Sequence, residues 1–174
     1  MQKTLNKLPK IVLTDIDGVW TDGGMYYDNN ENEFKKFNTS DSAGVIYCKA
    51  LNIPVGIITG ENTNIVKRRS EKLNIEYLFQ GVSNKTKVTQ ELINRLNIDW
   101  NEVAYIGDDI GDINLLRKVG ISAAPANARD YVKKHVTFIT KAKGGEGAFR
   151  EFIETILIQN QMLDVVLEKY LENH

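Results

Sequence analysis

The sequence predicts an α/β protein with a doubly wound, mostly parallel, Rossmann-like sheet. Two observations carry that prediction. Short apolar runs rich in β-branched residues, at 11–13, 53–59 and 103–107, have the composition of strands buried on both faces. They alternate with segments whose apolar residues recur at helical spacing, the pattern of a parallel sheet covered on both sides.

Each element follows in turn. The first strand runs into Thr14-Asp15-Ile16-Asp17-Gly18-Val19. Gly23-Gly24, Met25-Tyr26-Tyr27, the Asn-rich turn at 28–32 and residues 33–38 read as a protruding β-hairpin over about 23–38. Its aromatics, Tyr26, Tyr27, Phe34 and Phe37, are too many for a solvated ribbon and are expected to pack on something, a second subunit included. Asp41 stands where it can cap a helix with apolar residues at 43, 46, 47, 50 and 51. A strand at 53–59, a basic helix over about 62–73 and a strand at 75–79 come next. Asn84-Lys85 then starts a helix carrying Val88, Leu92 and Leu96. Strands at 103–107, 121–124 and 136–139, with a helix near 128–134 between the last two, complete the core. Gly144-Gly145-Glu146-Gly147 opens a C-terminal helical arm over about 148–174, whose part beyond Gln161 reads either as a separate helix or as an arm onto a neighbour.

The 174 residues suffice for one domain, 1–174, with a sizeable core. A formal net charge of −1 gives no reason to expect nucleic-acid or membrane binding. The single cysteine, Cys48, sits inside a helical pattern as a small core residue and suits a reducing compartment. No signal peptide or transmembrane run is evident, so a cytoplasmic protein is expected. His135 and His174 lie far from the acidic clusters, which argues against imidazole chemistry.

Parallel strands deliver their carboxyl ends to one edge of the sheet, where open α/β folds bind ligands. That edge collects Asp15 and Asp17, then Thr59-Gly60, then Lys85, then Asp108, Asp109 and Asp112. Carboxylates so close raise one another's pKa, and a divalent cation relieves this; hard oxygen ligands favour Mg²⁺. The assembly is a kit for phosphoryl transfer. A carboxylate can attack phosphorus, a cation offsets the repulsion, a hydroxyl and backbone N–H groups cradle phosphate oxygens, and an ammonium balances the charge spread over them. Singly, Lys85 reads as a surface lysine and Thr59-Gly60 as a turn; the order of all four carries the argument.

Asp15-x-Asp17-Gly18-Val19, Thr59-Gly60, Lys85 and Gly107-Asp108-Asp109-x-x-Asp112 resemble the four motifs of the haloacid dehalogenase-like phosphatases. The resemblance implies Asp15 as nucleophile, forming an aspartyl-phosphate. Asp17 would protonate the leaving oxygen, then deprotonate water, and lend Mg²⁺ its backbone carbonyl. It implies Thr59, Gly60 and Lys85 as phosphate-binding residues, Asp15 and Asp108 as side-chain metal ligands, and Asp109 and Asp112 as residues positioning Lys85 and metal waters. An aspartate at 17, where related ion pumps carry threonine, argues for a hydrolase.

Such phosphatases usually carry a cap domain, yet between Asp17 and Thr59 there is room only for a hairpin and one helix, and between Lys85 and Asp108 for one helix. A neighbouring subunit is then expected to exclude water and select substrate, which makes a homo-oligomer the expectation; an open site for macromolecular substrates is the alternative. A narrower likeness covers about 10–156 and rests on Thr14 to Gly23, Lys36-Phe37-Asn38, Asp41, Gly81-Val82-x-Asn84-Lys85 and the Gly144 to Glu151 stretch. It resembles the capless, tetrameric phosphatases of 2-keto-3-deoxynononate 9-phosphate (the sialic-acid type) and 3-deoxy-octulosonate 8-phosphate (the lipopolysaccharide type). Glu61 stands where the octulosonate branch typically has arginine, which favours the nononate and implies substrate contacts from Thr39, Glu61, Arg69 and Lys72. Positions 61, 65, 69 and 72 recur along one helix face. The rivals are a receiver-like phospho-switch, whose acceptor would precede the threonine, a non-catalytic oligomerisation module, and a transferase using the same residues.

Overall fold

The structure, a computed structural model, describes residues 7–172. In chain order its elements are β1 (Ile11–Thr14), β2 (Tyr26–Tyr27), β3 (Glu33–Phe34), α1 (Asp41–Ala50), β4 (Val55–Ile58), α2 (Asn64–Lys72), β5 (Tyr77–Phe79) and α3 (Lys85–Leu96). They continue as β6 (Val103–Ile106), α4 (Ile113–Leu116), β7 (Ile121–Ala124), α5 (Asp130–Lys133), β8 (Phe138–Ile139), α6 (Ala148–Gln159) and α7 (Leu163–Glu172). Six strands form one sheet in the order β5-β4-β1-β6-β7-β8, every pairing parallel, and β2 pairs antiparallel with β3. The predicted doubly wound sheet and hairpin are both present.

β1 is central and fully buried, with Val12 beside Val55 on one flank and Ala104 on the other. Its alternate residues feed two separate cores. Val12 joins the cluster under α1, α2, α6 and α7, whereas Ile11 and Leu13 join the one under α3, α4 and α5. That division is why the strand carries no polar alternation: both pleat faces are covered. Full burial of each such side chain contributes roughly 1.5–3 kcal/mol. Trp20 is wholly buried, stacks on Phe149 with ring centroids 4.6 Å apart, and donates its indole N–H to Thr14 Oγ1 at 2.9 Å. The loop after β1 is thereby pinned to α6.

Three local readings change. Asp41 does not cap its own helix, where Ser40 holds the N-cap position; its Oδ1 accepts the Arg150 N–H at 3.0 Å and so caps α6, whose N-cap, Gly147, has no side chain. Burial lifts the Asp41 carboxyl to about 6, opposed by the backbone N–H groups of Arg150 and Phe149 and by the charges of Arg69 and Arg150. The arm beyond Gln161 is a separate helix of the same body, with Val166 of α7 buried and Met162 and Leu163 packed on the core. In the hairpin, Phe37 packs against the chain's own core, while Met25, Tyr26, Tyr27 and Phe34 stay exposed. Cys48 is a free, buried core thiol, as expected.

Candidate active site

The carboxyl ends of β1, β4 and β6 open onto a cleft of about 400 Å³. Asp15 directly follows β1, Thr59 follows β4, Lys85 is the first residue of α3, and Asp108 follows β6 by two residues. Predicted residues Asp15, Asp17, Thr59, Gly60, Glu61, Lys85, Asp108, Asp109 and Asp112 all line this one cleft. The sequence reading of a shared edge is therefore met by the topology.

Lys85 is the cleft's internal counter-charge. Its Nζ lies 2.8 Å from Asp15 Oδ2 and 2.7 Å from Asp112 Oδ1. Burial works against the ammonium, but the two carboxylates carry its pKa above the ordinary lysine value. The N-cap of α3 is Asn84, which accepts the Lys87 N–H, so the helix starts where it delivers Lys85 inward.

Asp112 organises the acidic loop. Its Oδ1 accepts from Lys85 and from the buried Tyr105 hydroxyl, and its Oδ2 accepts the N–H groups of Asp108 at 2.9 Å and Asp109 at 3.0 Å. Those four bonds use the capacity of a carboxylate. Gly107 is required beside it, because a Cβ there would collide with the Asp112 side chain. Tyr105 is a participant that the sequence reading treated only as strand core. Asp109 does not reach Lys85; its carboxylate sits at the rim, 3.4 Å from the Tyr131 hydroxyl.

Asp15, Asp108 and Asp112 each present an oxygen within 4.8 Å of the others. Burial, then the Asp112 charge, pushes Asp15 up to about 7 despite Lys85. Burial, then the charges of Asp15, Asp112 and Asp109, pushes Asp108 up to about 8. Asp108 Oδ1 is buried without a hydrogen-bond partner. Negative charge that one lysine does not balance, an unpartnered buried oxygen and an all-oxygen donor set fit a hard divalent cation. Since Asp112 is spent on hydrogen bonds, Asp15 and Asp108 are the side chains left to hold it. Gly18, at φ +85°, passes directly over Asp108, where a Cβ would run into the carboxylate.

Asp17 is held differently. Its Oδ1 accepts from Lys35 Nζ at 2.7 Å and from Thr21 Oγ1 at 3.3 Å. Lys35 reaches in from the hairpin and its side chain is only 3% exposed. Sequence reading missed it, because one lysine among hairpin charges carries no signal. Thr59 is buried, and its Oγ1 accepts the Glu61 N–H at 3.4 Å, a turn that aims the start of the 59–63 segment at the cleft.

The remaining predicted substrate contacts lie outside the cleft lining. Arg69 hydrogen-bonds Ser42 Oγ at 2.9 Å and the Asn38 carbonyl at 3.4 Å, with its guanidinium near the Trp20 and Phe37 rings. Thr39 and Lys72 are exposed at the surface. The expected helix face at 61, 65, 69 and 72 is not formed as a whole, because α2 starts at Asn64 and Glu61 precedes it, and Arg69 turns toward α1.

A family model described as haloacid dehalogenase-like hydrolase matches residues 57–152. The 3-deoxy-D-manno-octulosonate 8-phosphate phosphatase of Salmonella typhi is 38% identical over 155 residues, 89% of this chain and 82% of that protein. The crystal structure of the Moraxella catarrhalis enzyme of that name, in complex with magnesium ion, phosphate ion and a KDO molecule, matches with a TM-score of 0.91 at 31% identity over 95% of each chain. The cobalt-bound deoxy-D-mannose-octulosonate 8-phosphate phosphatase of Haemophilus influenzae matches with a TM-score of 0.89 at 33% identity, over 97% of this chain and 99% of that one. These relatives carry the octulosonate name, the branch that the reading of Glu61 ranks second.

Proposed function

Because the chain belongs to the haloacid dehalogenase-like hydrolase family, we propose that it hydrolyses 3-deoxy-octulosonate 8-phosphate through an aspartyl-phosphate on Asp15. At the coarser level it is a phosphoric monoester hydrolase. The observation that carries the proposal is Asp15 beside Lys85 at 2.8 Å on the floor of a cleft that also receives Thr59 and the 108–112 acidic loop.

In this reading the Asp15 carboxylate attacks phosphorus as the P–O bond to the sugar breaks, and Asp17 gives the departing oxygen its proton. Asp17 then takes a proton from the water that attacks the phospho-aspartate, which returns Asp15 as a carboxylate. Lys85 and the Thr59 hydroxyl hold phosphate oxygens, and their charge and dipole count most when the equatorial oxygens carry the most charge. A Mg²⁺ ion, held by Asp15, Asp108 and the Asp17 carbonyl, would supply charge neutralisation between the attacking carboxylate and the phosphate.

Glu61 lining the cleft supports a second reading, 2-keto-3-deoxynononate 9-phosphate as substrate. Side-by-side kcat/KM values on the two sugar-acid phosphates with Mg²⁺ separate these; release from neither, with fresh folded protein, would remove the sugar-acid assignment altogether.

The exposed Met25, Tyr26, Tyr27 and Phe34 of the hairpin support assembly into a homotetramer in which a neighbour covers the cleft. Light scattering on Tyr27→Ser/Phe34→Ser should report a smaller species with poorer sugar-acid turnover. An unchanged mass would defeat hairpin-mediated assembly.

A further inference from the structure

Lys35 is an anomaly in its surroundings. It directly follows a two-stranded ribbon whose Tyr26, Tyr27 and Phe34 are exposed, yet its own side chain is 3% exposed. The ammonium ends 2.7 Å from Asp17 Oδ1, with Glu33 Oε1 in a looser ion pair at 3.3 Å. Thr21 Oγ1 donates to the same Asp17 oxygen at 3.3 Å, while Asp17 Oδ2 is buried and has no hydrogen-bond partner. One carboxylate oxygen is thus gripped from two sides and the other is shut in, so the carboxyl group is held in one orientation. An immobilised charged side chain loses rotamer freedom and hydration, a cost that the contacts with Asp17 and Glu33 offset.

We infer that Lys35 is a positioning residue for proton transfer: through Oδ1 it fixes the Asp17 carboxyl in one orientation at the cleft wall. The inference rests on the phosphatase reading above. As the Asp15–phosphorus bond forms and the phosphorus–sugar oxygen bond breaks, the proton of the Asp17 carboxyl passes to the sugar oxygen. As water attacks the phospho-aspartate and that bond breaks, the Asp17 carboxylate takes a proton back. Proton transfer by a placed acid contributes about 10²- to 10⁴-fold, so a carboxyl free to rotate away forfeits part of that factor. Because Lys35 sits in the hairpin, it also ties that ribbon to the chemistry.

The test uses leaving groups that do and do not need a proton. Lys35→Met keeps the apolar stem, and Lys35→Gln keeps an N–H donor should the methionine variant fold poorly. On an alkyl sugar phosphate, single-turnover cleavage should slow by about 10- to 100-fold in Lys35→Met and less in Lys35→Gln. On 4-nitrophenyl phosphate, whose anion departs unprotonated, the burst of nitrophenolate should change by less than about threefold, while the steady state slows because dephosphorylation still needs the base. Equal losses in both single-turnover experiments mean a merely structural lysine and overturn the inference, as does wild-type speed on the alkyl ester. A wild-type protein that cleaves neither ester would instead strike at the phosphatase reading itself.

Discussion

Asp15 and Asp41 are both carboxylates shut away from water, and burial lifts both above the usual range, to about 7 and about 6. Their company differs. Asp15 lies in an open cleft with Asp108, Asp112 and a single lysine, so repulsion remains. Asp41 lies at the start of α1 against the first turn of α6, where backbone N–H groups and the charges of Arg69 and Arg150 answer it. Its Oδ2, like Asp108 Oδ1, nonetheless has no hydrogen-bond partner. A displaced pKa therefore does not by itself separate a nucleophile from a staple. What separates them is whether the surrounding charge is already met by the protein or awaits a ligand.

The sharpest way to break this comparison is to remove each charge. Asp15→Asn should cost at least about a thousandfold in kcat and leave the fold intact, since it removes the attacking oxygen. Asp41→Asn should change kcat by less than about tenfold. Similar losses from both would mean that the two acids are not distinct in kind.

Stability offers the next test. Asp41 holds its proton more tightly folded than unfolded, because its pKa rises from 3.8 to about 6. Its contribution is complete below about pH 4 and is lost as pH rises through about 6, on the order of 3 kcal/mol in all. Because both proteins carry Asp15 and Asp108, those acids cancel in the comparison, and the wild-type Tm should fall relative to Asp41→Asn between pH 4 and 7. Parallel Tm curves for the two proteins would contradict a buried, protonatable Asp41.

Cation binding should carry the opposite sign in the cleft. Asp15 and Asp108, at about 7 and about 8, must shed protons before they coordinate, so apparent Mg²⁺ affinity should rise about tenfold or more from pH 6 to pH 8. Calorimetry in two buffers of different ionisation enthalpy reads the released protons; a pH-independent affinity with no release would remove those two acids as ligands. The smallest effect is expected from Glu61→Arg, which should shift the kcat/KM ratio between the octulosonate and nononate phosphates by about three- to tenfold toward the former. An unmoved ratio would mean that Glu61 does not read the sugar.

The fold was largely readable because its strands are continuous apolar runs and the polar groups sit directly at their ends. Asp15, Thr59 and Asp108 lie within two residues of a strand, so placing the strand placed them. What escaped was what depends on chain reversal. Lys35 reaches Asp17 only because the hairpin folds back over the end of β1, and Asp41 meets Arg150 across a sequence separation of 109. Tyr105 looked like core because its ring is core; only the strand-to-loop register shows its hydroxyl at Asp112. Arg69 stands at helical spacing from Glu61 in sequence, but Glu61 precedes α2, and Arg69 lies by the Trp20 and Phe37 rings.

The position of β1 has a consequence for how the molecule can be divided. The chain lays down β4 and β5 on one flank of that strand and only later β6, β7 and β8 on the other. A break near the left-handed Asn97 that ends α3 would leave nucleophile, hydroxyl and lysine on one fragment and the 108–112 loop on the other. Neither fragment would hold the full constellation, yet each exposes the sheet edge the other lacks. Recovery of phosphate release on mixing would then report, with no label attached, the re-knitting of β1 to β6.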